Sequence, residues 1–228
     1  MIMKFCEFEK LMSTQRIGRY YTSCNQHVLK TLSLYNGNIR LSQAFLPVLN
    51  YFEVVLRNRI DLHYRLRFIQ LAGHPDWLLA AALPGGFLAR NGCLSSVEKI
   101  LQARTKLGVR YTHDKLVAEL SFGFWRFLFA GKQYQAGGNT LLNIFPGLPP
   151  RCNQNFIYRK LKNINSIRNR IAHHEPICFG AGNSISAAYA RSHFTEITDI
   201  LGYMGIDSRH LFRGFKGVLE EANYIDSI

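Results

Sequence analysis

The feature that most constrains the fold is a long helical pattern that begins at Leu41 and continues to about Leu71. Within it, apolar residues recur every three or four positions: Ala44, Phe45, Val48, Leu49, Phe52, Val55, Leu56 and Ile60. This period places the apolar side chains on one face of an α-helix, whereas a half-buried strand would alternate every second residue. The pattern predicts the longest helix of the chain, with Pro47 as a local irregularity and Gly73 as its end.

Shorter helical patterns lie on both sides of this segment, and no stretch shows the period-two alternation of a strand. The predicted helices cover residues 13–23, 25–35, 95–108, 114–129, 151–173, 186–203 and 208–221. Residues 1–12 show no clear pattern, and the prolines and glycines of residues 74–91 predict a break. The sequence therefore predicts an all-α protein that forms one domain over residues 1–228.

Three local signals refine this outline. Asn36-Gly37-Asn38 is compatible with a turn between two helices or with a weak point in one longer helix. Ser95 and Glu98 have the spacing of a capping box, which predicts the start of a helix. The aromatic run from Phe122 to Phe129 is interpreted as core, with a base-stacking surface for RNA as the alternative.

The charge balance favours a polyanionic partner. Lys and Arg number 28 against 15 Asp and Glu, a formal net charge of +13. Each phosphate that a basic protein neutralises releases condensed counterions, so nucleic acid is the preferred interpretation, with membrane surfaces and acidic proteins as alternatives. Five scattered cysteines and the lack of a signal-peptide pattern predict a cytoplasmic protein that does not insert into a membrane.

One segment, residues 166–176, concentrates groups that can bind a phosphate and move a proton. It reads Ser-Ile-Arg-Asn-Arg-Ile-Ala-His-His-Glu-Pro. Cleavage of RNA by a ribose 2′-hydroxyl needs a group that titrates near neutral pH, such as an imidazole, and a fixed cation for the phosphate, such as a guanidinium. The competing interpretation is structural, because histidines are favoured at a helix C-terminus and arginines often cover a solvated face. On spacing alone, both interpretations stay open.

Other common kinds of catalytic site are not indicated. The histidines lack His-x-x-x-His spacing with a nearby Glu, no Cys-x-x-Cys pair exists, and no phosphate-binding glycine loop follows a strand. No Gly-x-Ser-x-Gly elbow is present either. The sequence predicts no metal site and no cofactor.

Two further sets of residues are candidates for supporting roles. The helix that leads into the segment is rich in basic residues, which are expected to contact RNA: Arg159, Lys160, Lys162 and Arg170. A second cluster, Arg57-Asn58-Arg59 with His63 and the nearby Glu53, lies on the long helix and has two interpretations. One is support of the active helix, and the other is an ordinary polar face with an i,i+4 pair between Glu53 and Arg57.

Arg168-Asn169-Arg170-Ile171-Ala172-His173 resembles the Arg-x4–6-His signature of HEPN ribonucleases, and the following His174-Glu175-Pro176-Ile177 resembles the Abi-like (abortive infection) branch of that superfamily. Further blocks resemble the family in the same order along the chain. They are Leu34-Tyr35-x-x-Asn38, Leu41-Ser42-x-Ala44, residues 53–58 (Glu-Val-Val-Leu-Arg-Asn) and residues 119–125 (Glu-Leu-Ser-Phe-Gly-Phe-Trp). The resemblance covers most of residues 13–215.

The resemblance implies a HEPN-type helical bundle, with additional flanking helices, that acts as a metal-independent endoribonuclease. By position, Arg168 would stabilise the phosphate, His173 would be the acid or base, and Asn169 would orient one of them. His174 and Glu175, which follow His173, are candidates for supporting roles, and the resemblance assigns them no specific one. Family members usually form homodimers in which two Arg–His motifs make one composite site.

The biological role that the resemblance implies is anti-phage defence through RNA damage, or a toxin held in check by an antitoxin. Some relatives are controlled by a regulatory small RNA or by a partner protein. The alternative function is a non-catalytic RNA-binding or scaffolding module of the same fold.

Overall fold

The computed structural model describes residues 4–72 and 76–228, apart from the side chains of 69–72. The α-helices are α1 (Phe5–Met12), α2 (Thr14–Ser23), α3 (Val28–Ala72), α4 (Trp77–Ala82), α5 (Phe87–Arg90), α6 (Leu94–Leu107), α7 (His113–Glu119), α8 (Phe122–Phe127), α9 (Gly131–Ala136), α10 (Gln154–Ala172), α11 (Ala188–Tyr203), α12 (Ser208–Leu211) and α13 (Val218–Asp226). Three short 3₁₀ turns complete them: Gly108–Arg110, Leu141–Ile144 and Ala181–Asn183. In the described part of the chain, β-type pairing is limited to an isolated bridge between Phe179 and Ile185. The all-α prediction is confirmed.

None of these helices, within the described ranges, combines the length and the apolar character needed to cross a membrane.

Contacts between backbone positions divide the chain into two compact units. The first contains residues 1–49, 166–197 and 212–228, and the second contains residues 50–165 and 198–211. Helices α3, α10 and α11 each contribute one part to each unit.

The first unit has an aliphatic core with a buried polar contact at its edge. Its fully buried side chains include Ile17, Leu34, Leu41, Phe45, Ile167, Ile197, Ala222 and Ile225. Glu221 on α13 is only 3% exposed, and Arg40 lies 3.0 Å from its carboxylate, with Lys216 on the other oxygen. A buried carboxylate needs such partners, because an unpaired charge is costly away from water.

The second unit has an aromatic core. Phe122, Phe124, Trp125 and Phe129 are all at most 2% exposed, so the run from 122 to 129 is core, as the sequence indicated. Tyr64, Trp77 and Phe87 add a second group of rings with centroids 4.5–6.5 Å apart. These separations are those of favourable aromatic pairs.

Helix α3 continues through Asn36-Gly37-Asn38 without a turn, so of the two interpretations of this segment the one longer helix is confirmed. A Cβ on Gly37 would lie 2.8 Å from Ile225 Cδ1, so glycine here allows α13 to pack closely against α3. Asn38 is buried and serves a tertiary hydrogen bond. Tertiary packing therefore overrides the local turn signal. Pro47 is accommodated inside the helix, and the predicted end at Gly73 lies outside the described residues.

Several other predicted boundaries were wrong. Residues 5–12 form α1, and the predicted break at 74–91 contains α4 and α5, whose buried faces carry Trp77 and Phe87. The predicted helix at 114–129 is two helices separated at Leu120 and Ser121. The predicted helix at 208–221 is also two, α12 and α13. Helix α6 begins at Leu94, so its N-cap position is Cys93, which makes no side-chain capping hydrogen bond, rather than Ser95.

A charged network in the second unit connects α3, α4 and α7. Asp61 lies 2.6 Å from His113 Nε2 and accepts from Trp77 Nε1 at 2.7 Å. Asp76 lies 3.0 Å from His113 Nδ1 and accepts from the Tyr111 hydroxyl. The His113 side chain is only 14% exposed. One imidazole thus joins two carboxylates in a largely buried position.

The network sets the protonation of its members. Burial alone would lower the pKa of His113, but its hydrogen bonds to Asp61 and Asp76 raise it to about 9. Burial alone would raise the pKa of Asp76, but hydrogen bonds with His113, Tyr111 and the Leu79 amide lower it to about 2. His113 is therefore an imidazolium at neutral pH, and Asp76 a carboxylate.

We expect His113→Gln to destabilise the protein by about 2–3 kcal/mol at pH 6, because the two carboxylates lose their cation. The pKa of His113 is raised in the folded state, so its stabilisation is complete below its unfolded pKa and is lost as pH rises to about 9. The difference between variant and wild type, measured by urea unfolding, should therefore shrink at pH 9.5. His210→Gln, at an exposed site, is the control. An equal difference at both pH values would contradict the charge-based explanation.

Candidate active site

The segment that carries the predicted site is the C-terminal end of α10 and the turn after it, within the first unit. The His174 amide donates to the Ile171 carbonyl at 3.1 Å, and the Glu175 amide donates to the Arg170 carbonyl at 2.8 Å. His174 has a φ of +56°. This is the hydrogen-bond pattern of a Schellman motif, which satisfies carbonyl groups that the end of a helix leaves open.

The left-handed position in this turn is unusual because it holds a histidine. Glycine is favoured there, since a Cβ in left-handed backbone meets the following carbonyl. The Arg16 guanidinium donates to the His174 carbonyl and so joins α2 to the turn. Nothing in the local sequence indicated this bond, because 158 residues separate its partners.

The three residues predicted to be catalytic lie at this helix end. Arg168 and His173 are exposed, and Asn169 is half-buried. Arg168 Nη1 donates to Asn169 Oδ1 at 3.4 Å, and the His173 amide donates to the Asn169 carbonyl at 2.9 Å. Among the described residues, neither Arg168 nor His173 has an ion pair with a carboxylate. Both side chains are therefore available to an external phosphate.

Arg170 and Glu175 form part of the turn itself. Arg170 Nε lies 3.3 Å from Glu175 Oε2, and the Arg170 guanidinium lies 4.9 Å from the centre of the Tyr189 ring. The ion pair spans the two residues that the Schellman motif already joins through their backbones. These contacts give Arg170 and Glu175 a structural role, although the sequence suggested RNA contact for Arg170.

A buried amide holds the chain after the turn. Asn38 Oδ1 on α3 accepts the Ile177 amide hydrogen at 2.8 Å, and Asn38 is only 6% exposed. Since a buried backbone N–H needs an acceptor, this bond positions the segment that follows Pro176. The sequence included Asn38 in a family-like block without indicating this role.

An apolar groove of about 690 Å³ adjoins the turn. Four of its large side chains are at least 39% exposed: Leu11, Met12, Ile39 and Leu46. The other lining residues are Arg16, Tyr35, Asn38, Ser42, Gln43, Ile171, Ala172 and His174. A contiguous exposed apolar surface of this kind is typical of a protein–protein contact.

The predicted RNA-contacting residues of α10 differ in their availability. Arg159 and Lys162 are exposed and have no ion pair among the described residues. Lys160 is mostly buried, at 16% side-chain exposure, and pairs with Asp199 at 3.0 Å. Arg159 and Lys162 are therefore the better candidates for phosphate contacts.

The second predicted cluster lies entirely in the second unit. Arg57 and Asn58 line a shallow groove with Asp61 and Arg65, and the expected pair between Glu53 and Arg57 is not found among the described ion pairs. His63 Nε2 lies 3.0 Å from Thr140 Oγ1. Burial and the charge of Arg67 lower the pKa of His63.

Among the described residues, no cluster of three or more His, Cys, Asp or Glu side chains could hold a metal ion. The helix end therefore offers guanidinium, amide and imidazole groups. Such a set can bind a phosphate and transfer a proton.

Comparison with models of protein families, with curated proteins and with solved structures finds no match to this chain.

We expect His174→Gly to stabilise the protein by about 0.5–1 kcal/mol, because glycine removes the steric cost of the left-handed position. His173→Gly is the matched variant. It should destabilise the protein by a similar amount, since His173 does not have a positive φ and glycine increases the entropy of the unfolded chain. Urea unfolding of both variants measures the two signs. A destabilising His174→Gly would show that the imidazole itself holds the turn.

Proposed function

We propose that this protein is a metal-independent endoribonuclease whose reaction centre is the C-terminal end of α10. One observation carries the proposal. Arg168 and His173 are exposed at one helix end, within five residues of each other, without a carboxylate partner among the described residues. Arg170 differs from these two residues, because its guanidinium is already paired with Glu175.

The proposed chemistry moves two protons and breaks one bond. A base removes the proton of the ribose 2′-hydroxyl, and the 2′-oxygen attacks the adjacent phosphorus. The bond from phosphorus to the 5′-oxygen breaks, and an acid protonates that leaving oxygen. The products are a 2′,3′-cyclic phosphate and a 5′-hydroxyl. Arg168 would neutralise the charge that develops on the phosphate oxygens, and His173 would transfer a proton.

The need for two proton transfers supports a composite site made by two copies of the chain. One copy supplies one His173, and a second copy would supply the other proton-transfer group. The apolar groove beside the turn supports this part of the proposal, since its exposed aliphatic side chains are suited to cover by another protein surface. His174 lines the same groove.

The proposed biological role is defence against phage through RNA damage, or a toxin held by an antitoxin. It follows from the resemblance of residues 168–177 to Abi-like HEPN proteins. The excess of basic residues supports RNA as the substrate. Exposed Arg159 and Lys162 on the same helix would contact the backbone of the bound strand.

We expect His173→Ala to lower the rate of single-stranded RNA cleavage in EDTA by about 10²–10⁴-fold, because a proton-transfer group is lost. Arg168→Ala should lower it by about 10²–10³-fold through loss of phosphate stabilisation. Gel analysis of a labelled RNA, with identification of cyclic phosphate ends, measures both. His210→Ala, at an exposed histidine paired with Asp207, is the matched control. Cleavage that survives His173→Ala, or that stops in EDTA, contradicts the proposal.

The alternative is an RNA-binding or scaffolding module without catalysis. The specific observation in its favour is that the Schellman motif gives residues 170–175 a structural explanation. It predicts salt-dependent RNA binding without turnover, unaffected by His173→Ala but weakened by charge reversal at Arg159 and Lys162. The same labelled RNA, followed by gel shift and by cleavage, distinguishes the two functions.

We expect Leu46→Asp to weaken self-association by about tenfold or more and to lower RNA cleavage in parallel, because a charge would be buried in the contact. Leu29→Asp is the control, since Leu29 is 69% exposed in the same unit and does not line the groove. Sedimentation analysis measures the association. An unchanged dimer in Leu46→Asp would place the contact elsewhere, and a fully active monomer would contradict the composite site.

A further inference from the structure

A small cleft in the second unit combines two arginines, aromatic rings and a pair of glycines. Its volume is about 190 Å³, and it is lined by Tyr64, Arg67, Phe68, Phe87, Arg90, Ala136, Gly137 and Gly138. This is below the range of about 300–1,000 Å³ typical of drug-sized ligands. The cleft can therefore enclose only part of a ligand, such as a phosphate group, and the rest of the ligand would lie against its rim.

The charged residues that line the cleft are both arginines. Arg67 comes from the end of α3 and Arg90 from the end of α5. In the described part of the chain, neither guanidinium has an ion pair or a hydrogen bond. Most surface arginines simply remain solvated, but here two converge on one cleft that contains no carboxylate. An anion is the ligand that such a pair would bind.

The two glycines are required by the close approach of the cleft side chains. A Cβ on Gly137 would lie 2.2 Å from the Tyr64 hydroxyl oxygen, and a Cβ on Gly138 would lie 2.9 Å from Arg67 Nη2. Gly138 also has a φ of +84°. The backbone of α9's C-terminal turn thus comes directly against Arg67, and any larger residue would displace the guanidinium.

The aromatic wall gives the cleft a second kind of contact. The Phe87 ring lies 5.6 Å from Tyr64 and 5.7 Å from Phe68, measured between ring centres. Phe68 is half-buried, so part of this wall faces the open side of the cleft. Planar rings stack on such surfaces, and base–aromatic stacking stabilises bound nucleotides.

From these features we infer that the cleft binds one end of a nucleotide, with its phosphate on Arg67 and Arg90 and its base at the rim against the half-buried Phe68. The ligand is either a free mononucleotide or one nucleotide of a nucleic-acid strand, because both present the same ring and phosphate. The inference does not require the protein to be a ribonuclease, since none of the cleft residues belongs to the proposed reaction centre.

Titration calorimetry of the full chain tests the inference with two probes. Adenosine 5′-monophosphate represents the free nucleotide. A 2′-deoxyadenosine pentanucleotide represents a strand, and it lacks the 2′-hydroxyl that the proposed cleavage needs. We expect the double variant Arg67→Gln, Arg90→Gln to weaken at least one probe about tenfold or more, since two charge-assisted contacts are lost. Arg110→Gln, at an exposed arginine of the same unit outside the cleft, should leave both affinities unchanged.

Further measurements identify which of the two ligands binds and check that the variants are folded. Loss confined to the mononucleotide indicates a free ligand, and loss for the pentanucleotide indicates a strand. Adenosine and inorganic phosphate should each bind at least about tenfold more weakly than a probe that carries both groups. Thermal unfolding checks that the double variant is folded, and Arg67→Lys, Arg90→Lys, which keeps the charge, should restore part of the affinity. Equal binding of both probes to wild type and the Gln variant, or phosphate binding as tightly as the nucleotide, would overturn the inference.

Discussion

The structure of the candidate site depends on how α10 ends. The last turn of a helix leaves carbonyl groups without intrahelical donors, and those groups need other partners. Here the amides of His174 and Glu175 turn back to Ile171 and Arg170, and the Arg170–Glu175 ion pair spans the same turn. The motif is therefore both a helix cap and a cluster of reactive groups. The two interpretations of the sequence are compatible, because the backbone of residues 170–175 makes the cap, while neither Arg168 nor His173 pairs with a carboxylate among the described residues.

The contrast between two histidines shows how surroundings decide the use of the same side chain. His113 is held between Asp61 and Asp76, and its pKa is raised to about 9, so it is a fixed cation at neutral pH. Such a group stabilises the fold and is poorly suited to transfer protons. His173 is exposed and has no carboxylate partner among the described residues. Its imidazole is therefore open to contact with an external ligand.

The parts of the fold that could be predicted were those with a strong local period. The long pattern from Leu41 corresponds to α3, and α10 and α11 differ from their predicted ranges by only a few residues. Failures came where tertiary contacts override local signals. The sequence left open whether Gly37 lies in a turn or in a longer helix, and its close packing against Ile225 is a tertiary contact that the sequence did not indicate. Helix α4 lies in a region whose prolines and glycines predicted a break. The cleft that contains Arg67 and Arg90 could not be predicted, because its residues come from α3, α5, α9 and the turn after α9, with no shared motif.

By itself, the sequence determined that the protein is helical and strongly basic. It also determined that Arg168, Asn169 and His173 lie within six positions at the end of a helix. These properties depend on local periodicity, on composition and on the proline at 176. Only the tertiary structure decided which basic groups pair with a carboxylate in the described part of the chain, since Lys160 and Arg170 do and Arg168 does not. It also decided that Asn38 and Arg16, both more than 130 residues away in sequence, hold the turn. Charge pairing and backbone hydrogen bonds across such separations depend on how helices pack, and no short pattern in the chain records them.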